Sequence, residues 1–295
     1  MHRLSQNRVP ISRAVVSEDL GALAAKVLLA EANLTPKPGL VDQRGQGCHT
    51  DMTLALMERS AWTLEPFFAG MVRAALHLPL GAPLRQELGS IGRSAERAML
   101  RSTAGVNTHK GAIWVIGLLV AAAAQLRAGD AETIAARAGQ IACIPDIAQP
   151  VPLSHGEMVR LRFAKSGARG EAMAGFPHVT WIGLPQLRRS RAEGHTEDES
   201  HLNALIAIMA SLDDTCVLYR GGTEGLATMH AGAQAVLTAG GIGTPAGDKA
   251  LRALNQKMLA NSLSPGGCAD LLAATMLLDE IERRSIYVTA EKEEK

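Results

Sequence analysis

An all-α domain is the fold class this sequence predicts, and three observations predict it. Alanine, leucine and glycine abound while aromatic residues make up only 3% of the chain, a composition that suits close-packed helices better than sheets. Apolar residues recur at three- and four-residue spacing over long stretches, the period of an α-helix. The longest apolar run, "GAIWVIGLLVAAAAQL" at 111–126, begins beside His109 and Lys110. It falls short of the roughly 20 residues that span a bilayer, so it reads as a buried central helix.

Taken in order, helices are expected over 18–32, 51–76, 84–102, 108–127, 131–142, 156–166, 201–220, 224–238, 247–260 and 265–284. The first carries an apolar stripe of Leu20, Ala24, Val27 and Leu28. The seventh aligns Leu202, Ile206, Met209 and Cys216, and the last aligns Ala274, Leu277, Leu278 and Ile281. Loops are expected at 33–50, in the Pro-rich 144–157 stretch and at the "GARGEAMAGFPHV" turn over 167–179. The polar "LRRSRAEGHTEDES" at 187–200 reads as an exposed, mobile excursion. Residues 1–16 read as a flexible basic segment, without the apolar core or cleavage site of a targeting signal, and 287–295 as a charged tail. No repeat or composition break divides 17–286, which is expected to be one catalytic domain.

With 295 residues, 47% hydrophobic and 20% charged, the chain can bury a sizeable core. A formal net charge of +1 gives no general attraction to nucleic acid or membrane, and no basic, aromatic-interleaved stripe argues for nucleic-acid binding. Cys48, Cys143, Cys216 and Cys268 form no CxxC pair. They suggest neither a zinc site nor a disulfide framework, and are read as reduced residues of a cytoplasmic protein.

Helical phase then singles out acids. Glu31 falls in the apolar stripe of the first helix, Asp213 and Arg220 fall on that of 201–220, and Asp270 sits at the N-terminal end of the last. A buried carboxylate is costly unless paired, hydrogen-bonded or metal-bound. Any one of them is most simply structural; three beside glycine-rich loops point to a shared polar pocket.

Three helix starts are marked by glycine. Ser264 suits the N-cap and Pro265 the first turn, with Gly266 and Gly267 baring the backbone behind them. Arg220 precedes Gly221 and Gly222, with Thr223 as the next cap; Thr108 caps a first turn of His109, Lys110 and Gly111. Bare helix N-termini with nearby cations suit a polyphosphate, although glycines there equally permit tight helix packing. The loop "EANLTPKPGLVDQRGQGCHTDM" at 31–52 is far longer than a connector needs, which marks it as a site loop presenting Lys37 and Asp42. No P-loop, GxGxxG or GxSxG motif occurs. His49, His109, His155, His178 and His230 lack the spacing of a zinc site and read as hydrogen-bonding residues.

Five stretches, "LTPKPGLVDQRGQGCHTDM", "GVNTHKGAIW", "GARGEAMAGFPHV", "DDTCVLYRGG" and "NSLSPGGCADLLA", together resemble the triphosphoribosyl-dephospho-CoA synthases, in the expected order across 34–274. The 39–68 run looks closer to the branch serving malonate decarboxylase than to that serving citrate lyase. Cys48 and Cys268 stand where alanine or serine is expected. The resemblance implies transfer of the triphosphoribosyl group of ATP to 3′-dephospho-CoA with release of adenine. It also implies a product passed to a second transferase acting on an acyl carrier protein. The oligomeric state is left open.

Carried onto this chain, that chemistry puts Lys37, His109, Lys110, Arg169, Arg220, Gly221, Gly222, Ser264, Gly266 and Gly267 at phosphates. Glu31, Asp42 and Asp213 become the expected Mg²⁺ or ribose ligands, and Asp213, Glu171 and Asp270 the catalytic carboxylates, although Glu171 could simply pair with Arg169. Two rival readings use the same residues: a metal-dependent hydrolase of ADP-ribosyl type, and a non-catalytic module that binds CoA or a carrier protein.

Overall fold

The computed structural model describes residues 13–126, 129–148 and 167–284. The expected helix over 156–166, His155 and the 287–295 tail lie outside them. Among the described residues the chain is helical throughout, with no strand and one isolated bridge between Asp42 and Gly45. The helices are α1 (Arg13–Asn33), α2 (Leu54–His77), α3 (Ala82–Ser102), α4 (Lys110–Leu126), α5 (Ala131–Cys143) and α6 (Gly167–Met173). A π-helical turn at His178–Gly183 leads into α7 (Leu184–Ala192), followed by α8 (Glu197–Met209), α9 (Thr215–Thr238), α10 (Pro245–Ala260) and α11 (Gly266–Arg284).

The apolar run expected to be central is so. Every residue of α4 from Val115 to Ala124 is buried, because α1, α2, α3, α5 and α11 pack around it. Helix α2 buries Met57, Ala61, Leu64, Phe68, Met71, Val72 and Ala75 at helical spacing, and Thr53 caps it by accepting the Leu56 N–H. Helices α1 and α2 come together closely where a Cβ on Gly21 would meet the Ala69 Cβ at 2.7 Å. One apolar core runs through these helices and α7 to α11.

Four expectations are corrected. Helix α1 begins at Arg13, inside the stretch expected to be flexible. The 167–179 segment is not simply a turn, since α6 occupies Gly167–Met173. The supposed mobile excursion at 187–200 is α7 and the start of α8. Thr196 and Glu199 form a reciprocal capping box there, and Arg191 ties the corner by pairing with Asp279 and Glu197. The helix expected over 201–220 breaks after Met209, and Asp214 starts a new one by accepting the Cys216 and Val217 N–H groups. Asp213 therefore sits in a loop rather than on a helical stripe. Helix α9 runs on to Thr238 but kinks at Gly222 (φ 61°), immediately before the expected cap Thr223.

No single helix among the described residues is long and apolar enough to cross a membrane.

Candidate active site

The end of α1 and the N-termini of α4, α9 and α11 meet at one junction, and the 33–50 loop folds over it. Lys37 is 1% exposed, a costly place for an ammonium. It is held by Glu31, whose carboxylate lies 2.7 Å and whose carbonyl lies 2.5 Å from Nζ. Asp42 organises the loop from within: its carboxylate accepts the backbone N–H groups of Lys37 (2.9 Å) and Arg44 (2.8 Å) and pairs with the Arg44 guanidinium. At Gly39 (φ 71°) the chain turns against the carbonyl of Leu263, where a side chain would have no room, and the Cys48 thiol donates to that carbonyl at 3.0 Å. His49 reaches Ser264 Oγ at 2.9 Å and Arg220 at 3.5 Å. Burial and the Arg220 charge hold this imidazole below its usual range. The loop is thereby fastened to the start of α11.

Carboxylates supply the helix caps at this junction. Asp214 accepts the Cys268 N–H of α11 at 2.8 Å in addition to its own α9 caps. Its burial raises its carboxyl against the pull of those three N–H groups. Asp270 lies against the first turn of α4 and accepts the Ala112 N–H, in space that a Cβ on Gly111 would occupy. Loss of water together with the neighbouring Glu31 and Asp214 raises the Asp270 carboxyl well above the usual range. A carboxyl so placed holds its proton more tightly than an ordinary one, a feature of groups that take part in proton transfer.

His109 closes the group. It is buried, and Nδ1 lies 2.8 Å from Ser60 Oγ, which accepts the Thr108 hydroxyl at 2.7 Å. Nε2 is buried and has no hydrogen-bond partner among the described residues. Burial, with Lys37 nearby, lowers this imidazole to about 4, so it is neutral.

Several expected roles find other partners here. Thr108 bonds Ser60, and the Lys110 N–H is taken instead by the Asn107 side chain. The Lys110 ammonium lies 2.5 Å from Glu96. Ser264 bonds His49, and α11 is capped by Asp214, so the Cys268 N–H at this helix start is already used. Gly221 leaves room for Leu263, and Gly266 and Gly267 for Cys216 and Asp214, which is the packing use of glycine. Arg220 and Arg169 are exposed, and neither has a carboxylate partner among the described residues.

Glu171 and Asp213 belong to an adjoining group. Glu171 accepts the His178 backbone N–H at 2.7 Å and lies 2.9 Å from Nδ1, so its partner is His178 rather than Arg169. The Glu171 hydrogen bond chiefly, with the Ser211 carbonyl and the Asp213 charge, raises the His178 imidazole above its usual range. The three acids expected at a metal are thus spread over two groups, two of them already engaged by Lys37 and Arg44. Among the described residues no cluster of three or more His, Cys, Asp or Glu is set to hold a metal ion.

Sequence reasoning missed Asp214 and Ser60 as parts of this region, and gave His178 only a hydrogen bond without its partner Glu171. "SLDDT" at 211–215 is a helix-start signal that could have found Asp214; no local pattern announces Ser60 or the His178 pairing.

An all-helical transferase with carboxylates and cations gathered at helix ends is the class defined by this fold and site together with the family match. A family model for ATP:dephospho-CoA triphosphoribosyl transferase matches residues 17–288, and the chain belongs to that family. It is 55% identical over 269 residues to a probable 2-(5″-triphosphoribosyl)-3′-dephosphocoenzyme-A synthase of Pseudomonas fluorescens strain Pf-5, covering 90% of this chain and 92% of the relative. A protein of the same name from P. fluorescens strain Pf0-1 is 51% identical over 288 residues, covering 97% and 98%. One from P. aeruginosa strain UCBPP-PA14 is 53% identical over 271 residues, covering 91% and 92%. No solved structure matches the chain.

Proposed function

We propose that the junction of α1, α4, α9 and α11 carries transfer of the triphosphoribosyl group of ATP to a ribose hydroxyl of 3′-dephospho-CoA, in the cytoplasm. The observation that supports this reading is the family match over residues 17–288, which includes every part of the junction. In the reaction the acceptor hydroxyl oxygen bonds to C1′ of the ATP ribose as the bond from C1′ to adenine breaks. The bonding pair leaves with adenine, and the acceptor's proton passes to a base. Positive charge develops on the ribose, as in glycoside chemistry.

Asp270 is assigned as that base, because its carboxyl is poised for proton transfer at the crowded end of α4. Asp214 positions it by clamping the first turns of α9 and α11. The unpartnered His109 Nε2 is assigned to a polar contact with substrate. Glu171, Asp213 and His178 supply a second polar group beside the junction, and Arg220 and Arg169 are assigned to phosphates. Mg²⁺ is treated as part of the ATP substrate, riding on phosphate oxygens. We place the product in the malonate decarboxylase branch, on the 39–68 run, as the precursor handed to a second transferase for an acyl carrier protein.

The test is adenine release from ATP and Mg²⁺ with and without 3′-dephospho-CoA, followed by mass analysis. Adenine appearing only with the acceptor, plus a conjugate heavier by one triphosphoribosyl unit, is the expected result. Release without a conjugate would make the protein a hydrolase; ligand binding without release would make it a binding module.

A further inference from the structure

Away from the junction, along the seam between α3 and α4, two arginines hold one acid and the charge of a third reaches them. Arg93 Nη1 lies 2.7 Å and Arg85 Nη1 3.3 Å from the same oxygen of Asp146. The Arg85 guanidinium lies over the Trp114 ring, 5.0 Å from its centroid. Arg169, exposed at the start of α6, is the third cation. Burial first, and then the Arg169 and Arg93 charges, lower the basicity of Arg85 against the support of Asp146.

Among the described residues, one carboxylate leaves this group short of negative charge and of acceptors. Arg85 is only 6% exposed, yet its Nε has no hydrogen-bond partner among the described residues; neither has the buried Nε1 of Trp114 beside it. An unmade hydrogen bond in such a place costs more than a made one contributes, and native proteins keep few of them without a reason. The group also opens to solvent, with the Arg93 side chain 25% exposed and Arg169 exposed outright. Trp114 is one helical turn beyond Lys110 on α4, so the two share a face that leads back to the junction.

We infer that Arg85, Arg93, Arg169 and the Trp114 N–H form a binding site for a phosphoryl group of a substrate polyphosphate. The missing acceptor is an anion with several oxygens, which arginine forks bind better than any other side chain. A phosphate would give the Arg85 and Trp114 N–H groups partners and offset the excess positive charge. A purely structural tie between α3 and the end of α5 explains the Asp146 contacts but not the two orphaned donors. The inference rests on the proposed reaction for its choice of ligand: the triphosphate of ATP and the diphosphate of dephospho-CoA share this chemistry.

The experiment is calorimetric titration of the full chain and of Arg93→Gln and Arg169→Gln with inorganic tripolyphosphate, ATP and 3′-dephospho-CoA separately. Each variant is expected to weaken binding by about tenfold or more, the value of a charge-assisted contact. A loss confined to ATP and tripolyphosphate assigns the triphosphate; a loss confined to dephospho-CoA assigns the diphosphate. Unchanged affinity for all three ligands in the variants would overturn the site. Should Arg93→Gln unfold by losing its tie to Asp146, Arg169→Gln decides alone, since that side chain is exposed and has no described ion pair. Adenine release by the unaltered protein is scored separately, so failure of the proposed reaction and failure of this site give different results.

Discussion

Helix α11 carries two acids under opposite conditions. Asp279 is buried beside Arg191, which meets it with contacts of 2.8 and 2.7 Å and also pairs with Glu197. Asp270, earlier on the same helix, has Glu31 and Asp214 for neighbours and one backbone N–H for relief. The first arrangement holds the Arg191 guanidinium in its charged form and joins three helices. The second costs stability, which folds keep where chemistry needs a poised group. A place on the same helix therefore does not separate structure from function; the sign of an acid's surroundings does.

Breaking each charge system in turn sharpens that contrast. The largest loss of stability is expected from Glu31→Gln, which leaves the Lys37 ammonium buried without a counter-charge. Chemical denaturation should show about 3–5 kcal/mol lost, and Lys37→Met in the same background should recover part of it. Asp279→Asn should cost somewhat less, about 2–4 kcal/mol, since Arg191 keeps Glu197.

His109 should show itself in pH dependence. Its folded value, about 4, lies below the 6.5 of the free side chain, so between them the unfolded chain binds the extra proton. Its contribution is complete above the higher value and is lost as the pH falls towards the lower one. That amounts to roughly 3 kcal/mol. Denaturation of His109→Asn across that window should lack this slope; an identical slope would remove His109 from the account. Gly111→Ala should cost about 1–3 kcal/mol and lower turnover, because its methyl displaces the Asp270 carboxylate. At the bottom of the scale, removing the exposed Arg284 charge opposite Glu280 should cost no more than about 0.5 kcal/mol.

Much of the helical frame was legible in the sequence because periodicity reports burial. The buried α4 run and the burial of Glu31 among the apolar residues of α1 both follow from it. Periodicity misled where apolar spacing continued across a break: Cys216 keeps step with Met209, which concealed the Asp214 cap between two helices. The 187–200 stretch looked mobile because it is charged, although its Thr-x-x-Glu spacing is a helix start and its arginine has a distant partner in Asp279. Contacts of that kind are invisible locally. Lys37 turning back onto Glu31, Ser60 meeting His109 and Asp146 gathering arginines from α3 depend on how the helices close, not on any one of them. Glycines carry the same ambiguity, for at Gly221, Gly266 and Gly267 the bare backbone admits a neighbouring side chain.

The most direct test sets turnover against stability for the two α11 acids. Adenine release with 3′-dephospho-CoA and thermal unfolding should be measured together for Asp270→Asn and Asp279→Asn. Asp270→Asn is expected to unfold at the wild-type temperature or above, while release falls by about 10²–10⁴-fold. Asp279→Asn is expected to unfold earlier but keep its turnover per folded molecule. An Asp270→Asn protein that still releases adenine at near the wild-type rate would contradict the account.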